Sequence, residues 1–153
     1  MKLYLVRHGE AHPETVDPSR PLTDKGKSET QRIAKCLKQA QINIDFIVHS
    51  GKKRTEQTAE VLKNTLNPQC EIMAKDHLAP NDAIDPIYQE INQHNKDVMI
   101  VGHLPFLPKL ASRLLAKSEH LPIVHFKESS VAILEKQADQ SWQIVSLISP
   151  ELT

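Results

Sequence analysis

From Leu3 to Leu115, apolar runs of strand length take turns with segments whose apolar residues recur at helical spacing, and few folds accommodate that order. Leu3-Tyr4-Leu5-Val6 reads as a buried strand. Thr23 is a good helix cap, and the spacing of Ile33, Cys36, Leu37 and Ala40 predicts a helix over Asp24–Gln41. A second strand is expected at Ile44–His49, broken by Ser50-Gly51, with a helix from Lys53 to Leu66 after it. A weak strand at Glu71–Met73 precedes a loop rich in Pro and Asp over residues 76–86. A helix near Ile84–His94 and a strand at Asp97–Val101 follow. Phe106, Leu107, Leu110, Ala111, Leu114 and Leu115 share one helical face, with Pro105 where a first turn tolerates it. Strands alternating with helices require a mostly parallel central sheet with helices on both faces, an α/β fold.

The last part of the chain changes character. Ile123–Phe126, Val131–Glu135 and Trp142–Ile148 read as strands joined by short polar turns, expected to extend the sheet and to be partly antiparallel. No repeat or linker divides residues 1–153, so a single domain is expected. Lys plus Arg and Asp plus Glu both number 19, so no net charge draws the molecule to nucleic acid or to an anionic membrane. Any anion site must then be a local cluster of cations. Cys36 and Cys70 have no metal-type spacing and read as free thiols. The run before Arg7 is too short for a leader or a membrane span, so a cytoplasmic protein is expected, and a monomer because nothing in the sequence suggests obligate association.

Three strand ends carry a cation or an imidazole. Arg7-His8 follow the first strand, Arg54 follows the second at a helix start, and His103 follows the strand ending near Val101. Ligands of open parallel sheets bind outside the carboxyl ends of the strands, so these four residues are candidates for one anion site. Phosphoryl transfer suits them. Arginine matches phosphate oxygens with a planar fork, and clustered cations neutralise charge on a transferring phosphoryl group. His8 is the candidate nucleophile, attacking as neutral imidazole, with positive neighbours disfavouring its protonation. Gly9 is assigned to substrate binding because it allows close backbone approach. Arg20 is assigned a second contact, to phosphate or to a protein partner.

These residues sit in four segments that resemble the histidine phosphatase superfamily. Arg7-His8-Gly9 matches the motif that names it. Arg20-Pro21-Leu22-Thr23-Asp24-Lys25-Gly26 is similar to its Leu-Thr-x-x-Gly helix start. His49 to Ala59 is similar to its Ser-x-x-x-Arg-x-x-Gln-Thr-Ala stretch, and Val101-Gly102-His103-Leu104-Pro105 to its Gly-His segment. Two positions depart from the pattern: Gly51 stands where proline is usual, and Thr55 where alanine is common. The resemblance implies a phosphoglycerate mutase-like fold and a phosphate pocket of Arg7, His8, Arg54 and His103. It also implies a phosphohistidine intermediate on His8, with no cofactor and no metal. The short length and the Arg-Pro-Leu-Thr and Gly-His-Leu-Pro runs look most like the small SixA-type branch. Its members remove phosphate from histidine-containing phosphotransfer domains in bacterial signalling.

Larger relatives carry a glutamate that protonates an alcohol leaving group. Asp76, Asp82, Asp85 and Glu90 are the candidates in the corresponding stretch, with no basis for choosing among them. A phosphoramidate nitrogen is protonated more readily, so a signalling phosphoprotein is the expected substrate and a small phosphate ester (sugar phosphate or nucleotide) the alternative. A phosphate-binding module without turnover is the reading from another class, and it has no need of a nucleophilic imidazole. His12, four residues after His8, would suggest a metal pair, but no third ligand is evident. His49, His77, His94, His120 and His125 read as surface or loop residues, Trp142 as packing, and Glu10 as either a water- or ring-orienting group or simply exposed.

Overall fold

The computed structural model describes residues 1–153. Six strands form one sheet: β1 (Lys2–Arg7), β2 (Phe46–His49), β3 (Glu71–Ala74), β4 (Val98–Gly102), β5 (Val131–Lys136) and β6 (Trp142–Ile148). Four helices alternate with them: α1 (Asp24–Gln39), α2 (Lys53–Leu66), α3 (Asp85–Gln93) and α4 (Phe106–Ala116). The strand order is β3-β2-β4-β1-β5-β6. The first four strands of that order run parallel, and β5 and β6 are antiparallel additions beside β1.

Alternation along β1 divides the core. Leu3 and Leu5 face a cluster with Ile87, Ile91, Phe106, Leu107, Leu110 and Leu114 of α3 and α4. Tyr4 and Val6 face the opposite cluster, with Ile33, Ala34 and Leu37 of α1 and Ala59 and Leu62 of α2. The expected sheet with helices on both faces is the observed one. No helix is long and apolar enough to cross a membrane.

One expected strand is absent. Residues 123–126 pair with no strand, and the Ile123 N–H donates back to Leu121 O at 2.9 Å. Val124 and Phe126 are buried in the α4-side core while Ile123 is exposed, so one-sided burial alone produced a strand-like alternation. The carbonyl of Phe126 is taken instead by a guanidinium N–H of Arg7, at 3.0 Å. Pro105 occupies the cap position of α4 rather than its first turn. Trp142 packs as expected, with its indole N–H donating to Asn92 Oδ1 at 3.1 Å.

Candidate active site

The sheet order makes the site. β2, β4 and β1 are adjacent and parallel, so their carboxyl ends lie side by side at one edge. Arg7 is the last residue of β1 and pairs in register with Gly102 of β4. The backbone N–H of His8 donates to Gly102 O at 3.1 Å, which brings the turn after β1 against the turn carrying His103. Arg54 stands in the first turn of α2, directly beyond β2. Arg7, His8, Arg54 and His103 are thereby assembled from three separate stretches of chain.

His8 and His103 are both buried, and their ring centroids lie 5.2 Å apart. His8 Nδ1 is 2.7 Å from Gly9 O. A carbonyl only accepts, so Nδ1 carries the proton and Nε2 keeps its lone pair. Burial pushes the His8 pKa down to about 4, the Gly9 carbonyl opposes that, and the charges of Arg54, Arg7 and Arg20 lower it further. Positive neighbours were the expected cause, but burial is the larger one. His103 is pushed down to about 3, again mainly by burial, with His8, Arg54, Lys52 and Arg20 adding to it. Both imidazoles are therefore neutral at pH 7. The buried Nε atoms of Arg7 and Arg54 and Nδ1 of His103 have no hydrogen-bond partner within the protein.

Supporting contacts explain the local sequence. The Gly9 N–H donates to Thr58 Oγ1 at 3.0 Å, and that hydroxyl donates to Arg54 O at 2.7 Å. A Cβ on Gly9 would lie 2.9 Å from both Gly26 O and Thr30 Oγ1 and 3.1 Å from Ser129 Oγ. The crowding around Gly9 thus comes from the protein's own atoms, a packing reason the sequence reading did not include. A Cβ on Gly26 would meet Glu10 O at 2.2 Å, so α1 docks against the loop after His8 only through a glycine. Thr23 caps α1, accepting from the Gly26 N–H at 3.0 Å, and its hydroxyl donates to Glu10 Oε2 at 2.6 Å. That bond occupies one oxygen of the Glu10 carboxylate.

Arg20 lies in the loop between β1 and α1 at a positive φ of 48°, with Nε donating to His12 O at 3.0 Å. Its charge reaches the site, since it lowers the pKa of His8, Arg54 and His103. Three of the four acidic candidates are engaged by other groups. Asp85 pairs with Arg113, Glu90 with Lys75 and His94, and Asp82 accepts from the Ala79 N–H, while Asp76 is exposed. The carboxylates whose charge is felt at the site are Glu14, acting on Arg54, and Glu128, acting on Arg7. Neither was singled out from the sequence. Ser50, Thr55 and Thr58 were missed as well, although all three stand inside the stretch that carries Arg54. His49 is not a surface histidine: it is buried at the end of β2, with Nδ1 accepting from the Gly51 N–H at 3.1 Å.

A neutral imidazole with a free Nε2, two arginines and a second buried histidine compose a pocket fit to accept a phosphoryl group. The family model for the histidine phosphatase superfamily (branch 1) matches residues 3–79. The chain belongs to that superfamily. Within it, the chain is 28% identical over 119 residues to the phosphohistidine phosphatase SixA of Escherichia coli (strain K12), covering 74% of each protein. The solved structure of the protein histidine phosphatase SixA complexed with tungstate superposes with a TM-score of 0.88 at 24% identity, over 100% of both chains. The α-ribazole phosphatase of Shigella flexneri shares the fold at a TM-score of 0.73 and 18% identity, over 98% of this chain and 97% of that one. Membership of the histidine phosphatase superfamily makes the chain a phosphatase by class, on the phosphoglycerate mutase-like fold of SixA.

Proposed function

We propose that residues 1–153 are one catalytic domain that dephosphorylates phosphohistidine on signalling phosphotransfer proteins, with His8 as the nucleophile. The observation that carries this is the bond from His8 Nδ1–H to Gly9 O, which leaves Nε2 free on a neutral ring. In the first step His8 Nε2 forms a bond to phosphorus, and the bond from phosphorus to the substrate nitrogen breaks. The departing imidazole keeps its electron pair and takes a proton from solvent, which the water attacking in the second step returns. Water then attacks the phosphorus on His8, releasing phosphate and restoring the free ring. Arg7 and Arg54 hold the phosphoryl oxygens as charge builds on them, His103 lines the same pocket and binds an oxygen once Nδ1 carries a proton, and Gly9 and Arg20 flank the bound group. No cofactor takes part in this scheme.

Two observations favour the protein substrate. Three of the four acidic candidates, Asp82, Asp85 and Glu90, make their contacts elsewhere, and a phosphoramidate depends less on a protein acid than an alcohol ester does, for which such an acid commonly contributes about 10²–10⁴ in rate. The 28% identity to the SixA of E. coli points to the same substrate class. The reading against it is a small-molecule phosphomonoesterase, favoured by the fold shared with the α-ribazole phosphatase and by the charges of Glu14 and Glu128 near the arginines.

A paired assay separates the two, using a phosphorylated histidine phosphotransfer domain and a panel of phosphate esters with wild type and His8→Ala. The expected result is preference for the phosphoprotein and an acid-labile phosphoenzyme on wild type alone. Faster turnover of esters would move the assignment to the second reading, and full activity of His8→Ala would overturn the mechanism. Phosphate binding with no trappable phosphoenzyme would leave only a binding module.

A further inference from the structure

His103 is held by a chain of three hydrogen bonds that has a direction. Its Nε2 is 2.6 Å from Ser50 Oγ, Ser50 Oγ is 2.9 Å from Thr55 Oγ1, and Thr55 Oγ1 is 2.8 Å from Lys52 O. The last acceptor is a carbonyl, which has no proton to give. An oxygen–oxygen separation of 2.8 Å without a proton between the atoms is repulsive, so the single Thr55 proton lies on the contact to Lys52 O. Thr55 then has only a lone pair to offer Ser50, and Ser50 must spend its own proton on Thr55. The Lys52 N–H also approaches Ser50 Oγ, at 3.4 Å, which adds to its accepting role. The remaining partner, His103 Nε2, is left as the donor.

We propose that Thr55, acting through Ser50, sets the tautomer of His103, with the proton on Nε2 and the lone pair on Nδ1. Thr55 and Ser50 are positioning residues in this arrangement, since their hydroxyls act on His103 and not on the phosphoryl group. Three further facts bear on it. Thr55 is fully buried, so no water competes for its hydroxyl. Nδ1 of His103 is buried and has no partner, as expected for a lone pair that meets no donor in the protein. Burial and the surrounding cations hold the ring neutral at pH 7. The consequence is chemical. In the free protein His103 is able to take up a proton at Nδ1 and gives one there only after taking it up, whereas His8 has the opposite tautomer, with Nδ1–H bonded and Nε2 open. The two facing imidazoles thus present different nitrogens as their basic atoms. The tautomer does not depend on whether the substrate is a phosphoramidate or an ester.

The test is nitrogen NMR of the free protein with ¹⁵N-labelled histidine at pH 7, with His103 assigned by the signals lost in His103→Asn. The ring nitrogens of a neutral histidine resonate far apart, and two-bond couplings to the ring protons say which one is protonated. The expected wild-type spectrum has protonated Nε2 and bare Nδ1. Thr55→Val keeps the shape but removes the acceptor, which frees the Ser50 proton to turn onto Nε2, so its spectrum should move toward the Nδ1–H form. Thr55→Ser restores the acceptor and should read as wild type. Ser50→Ala removes the middle of the chain and should also abolish the bias, which covers the case of a poorly folded valine variant. A wild-type ring protonated on Nδ1 or on both nitrogens would overturn the proposal. A wild-type pattern persisting in both Thr55→Val and Ser50→Ala would overturn the role of Thr55.

Discussion

The N–H of Gly9 donates to the hydroxyl of Thr58 at 3.0 Å, and the same hydroxyl donates to the carbonyl of Arg54 at 2.7 Å. One side chain of α2 thereby joins the turn holding His8 to the helix turn holding Arg54. The relative position of the proposed nucleophile and its phosphate-binding arginine rests on a buried contact between groups 49 residues apart.

Thr58→Val keeps the shape and deletes the hydroxyl, so the buried Gly9 N–H loses its acceptor. An unsatisfied buried donor costs about 1–3 kcal/mol. The denaturant midpoint is expected to fall by an amount in that range, and kcat to fall with it as the Gly9 turn drifts from Arg54. Thr58→Ser should recover most of both. A midpoint and kcat equal to wild type would show that this bond does not hold the turn.

Arg54→Lys keeps the charge and loses the planar fork. Lysine acts as a point charge and cannot make two parallel bonds to phosphoryl oxygens. Loss of one preorganised donor to developing negative charge is commonly worth about 10²-fold in kcat. A decrease of that order in steady-state assays on the preferred phosphosubstrate is expected, with the fold unchanged by circular dichroism. A decrease below about twofold would remove Arg54 from the proposed chemistry.

Burial of neutral His8 makes stability depend on pH. Its folded pKa is lowered from 6.5 to about 4, so between those values the unfolded chain binds the proton and the folded chain does not. The stability involved is complete above the unfolded value and is lost as pH falls toward the folded one. His103 acts in the same sense, from 6.5 to about 3. Melting temperatures of wild type and His8→Gln from pH 7 to pH 4.5 isolate the effect, because the variant has no proton to bind at this position. The difference between the two proteins should shift in favour of His8→Gln as pH falls. A difference constant across that range would mean that His8 titrates as an exposed imidazole.

Gly26→Ala opposes two effects of different size. Alanine is favoured over glycine in a helix by about 1 kcal/mol. The added Cβ would meet Glu10 O at 2.2 Å, and that atom belongs to backbone that cannot swing aside. Overpacking typically costs about 1–3 kcal/mol and occasionally more, so the contact should win. Urea unfolding is expected to show a lower midpoint at unchanged slope. A raised midpoint would mean that the loop after His8 yields more easily than its contacts indicate.

Much of the fold was legible because the local signals agreed with one another. The strand from Leu3 to Val6, the helices begun by Thr23 and Lys53, and the helix carrying Phe106 and Leu110 all appear where their apolar spacing put them. The segment Ile123–Phe126 was misread because alternation reports burial on one side and not strand pairing. The burial of His49 is invisible in the sequence, where a polar side chain at a strand end reads as surface or loop.

Chain order was enough to place Arg7-His8, Arg54 and His103 at strand ends, since each follows an apolar run that ends within a few residues of it. Tertiary structure alone decided that β2, β4 and β1 are neighbours, and with that the convergence of the four side chains. It also decided the protonation states. Whether an imidazole is neutral depends on how much water and how many charges surround it. Which of its nitrogens holds the proton depends on partners such as Gly9 O and Ser50 Oγ, the latter far away in the chain. Periodicity is a property of neighbours in sequence, whereas desolvation and hydrogen-bond direction are properties of neighbours in space.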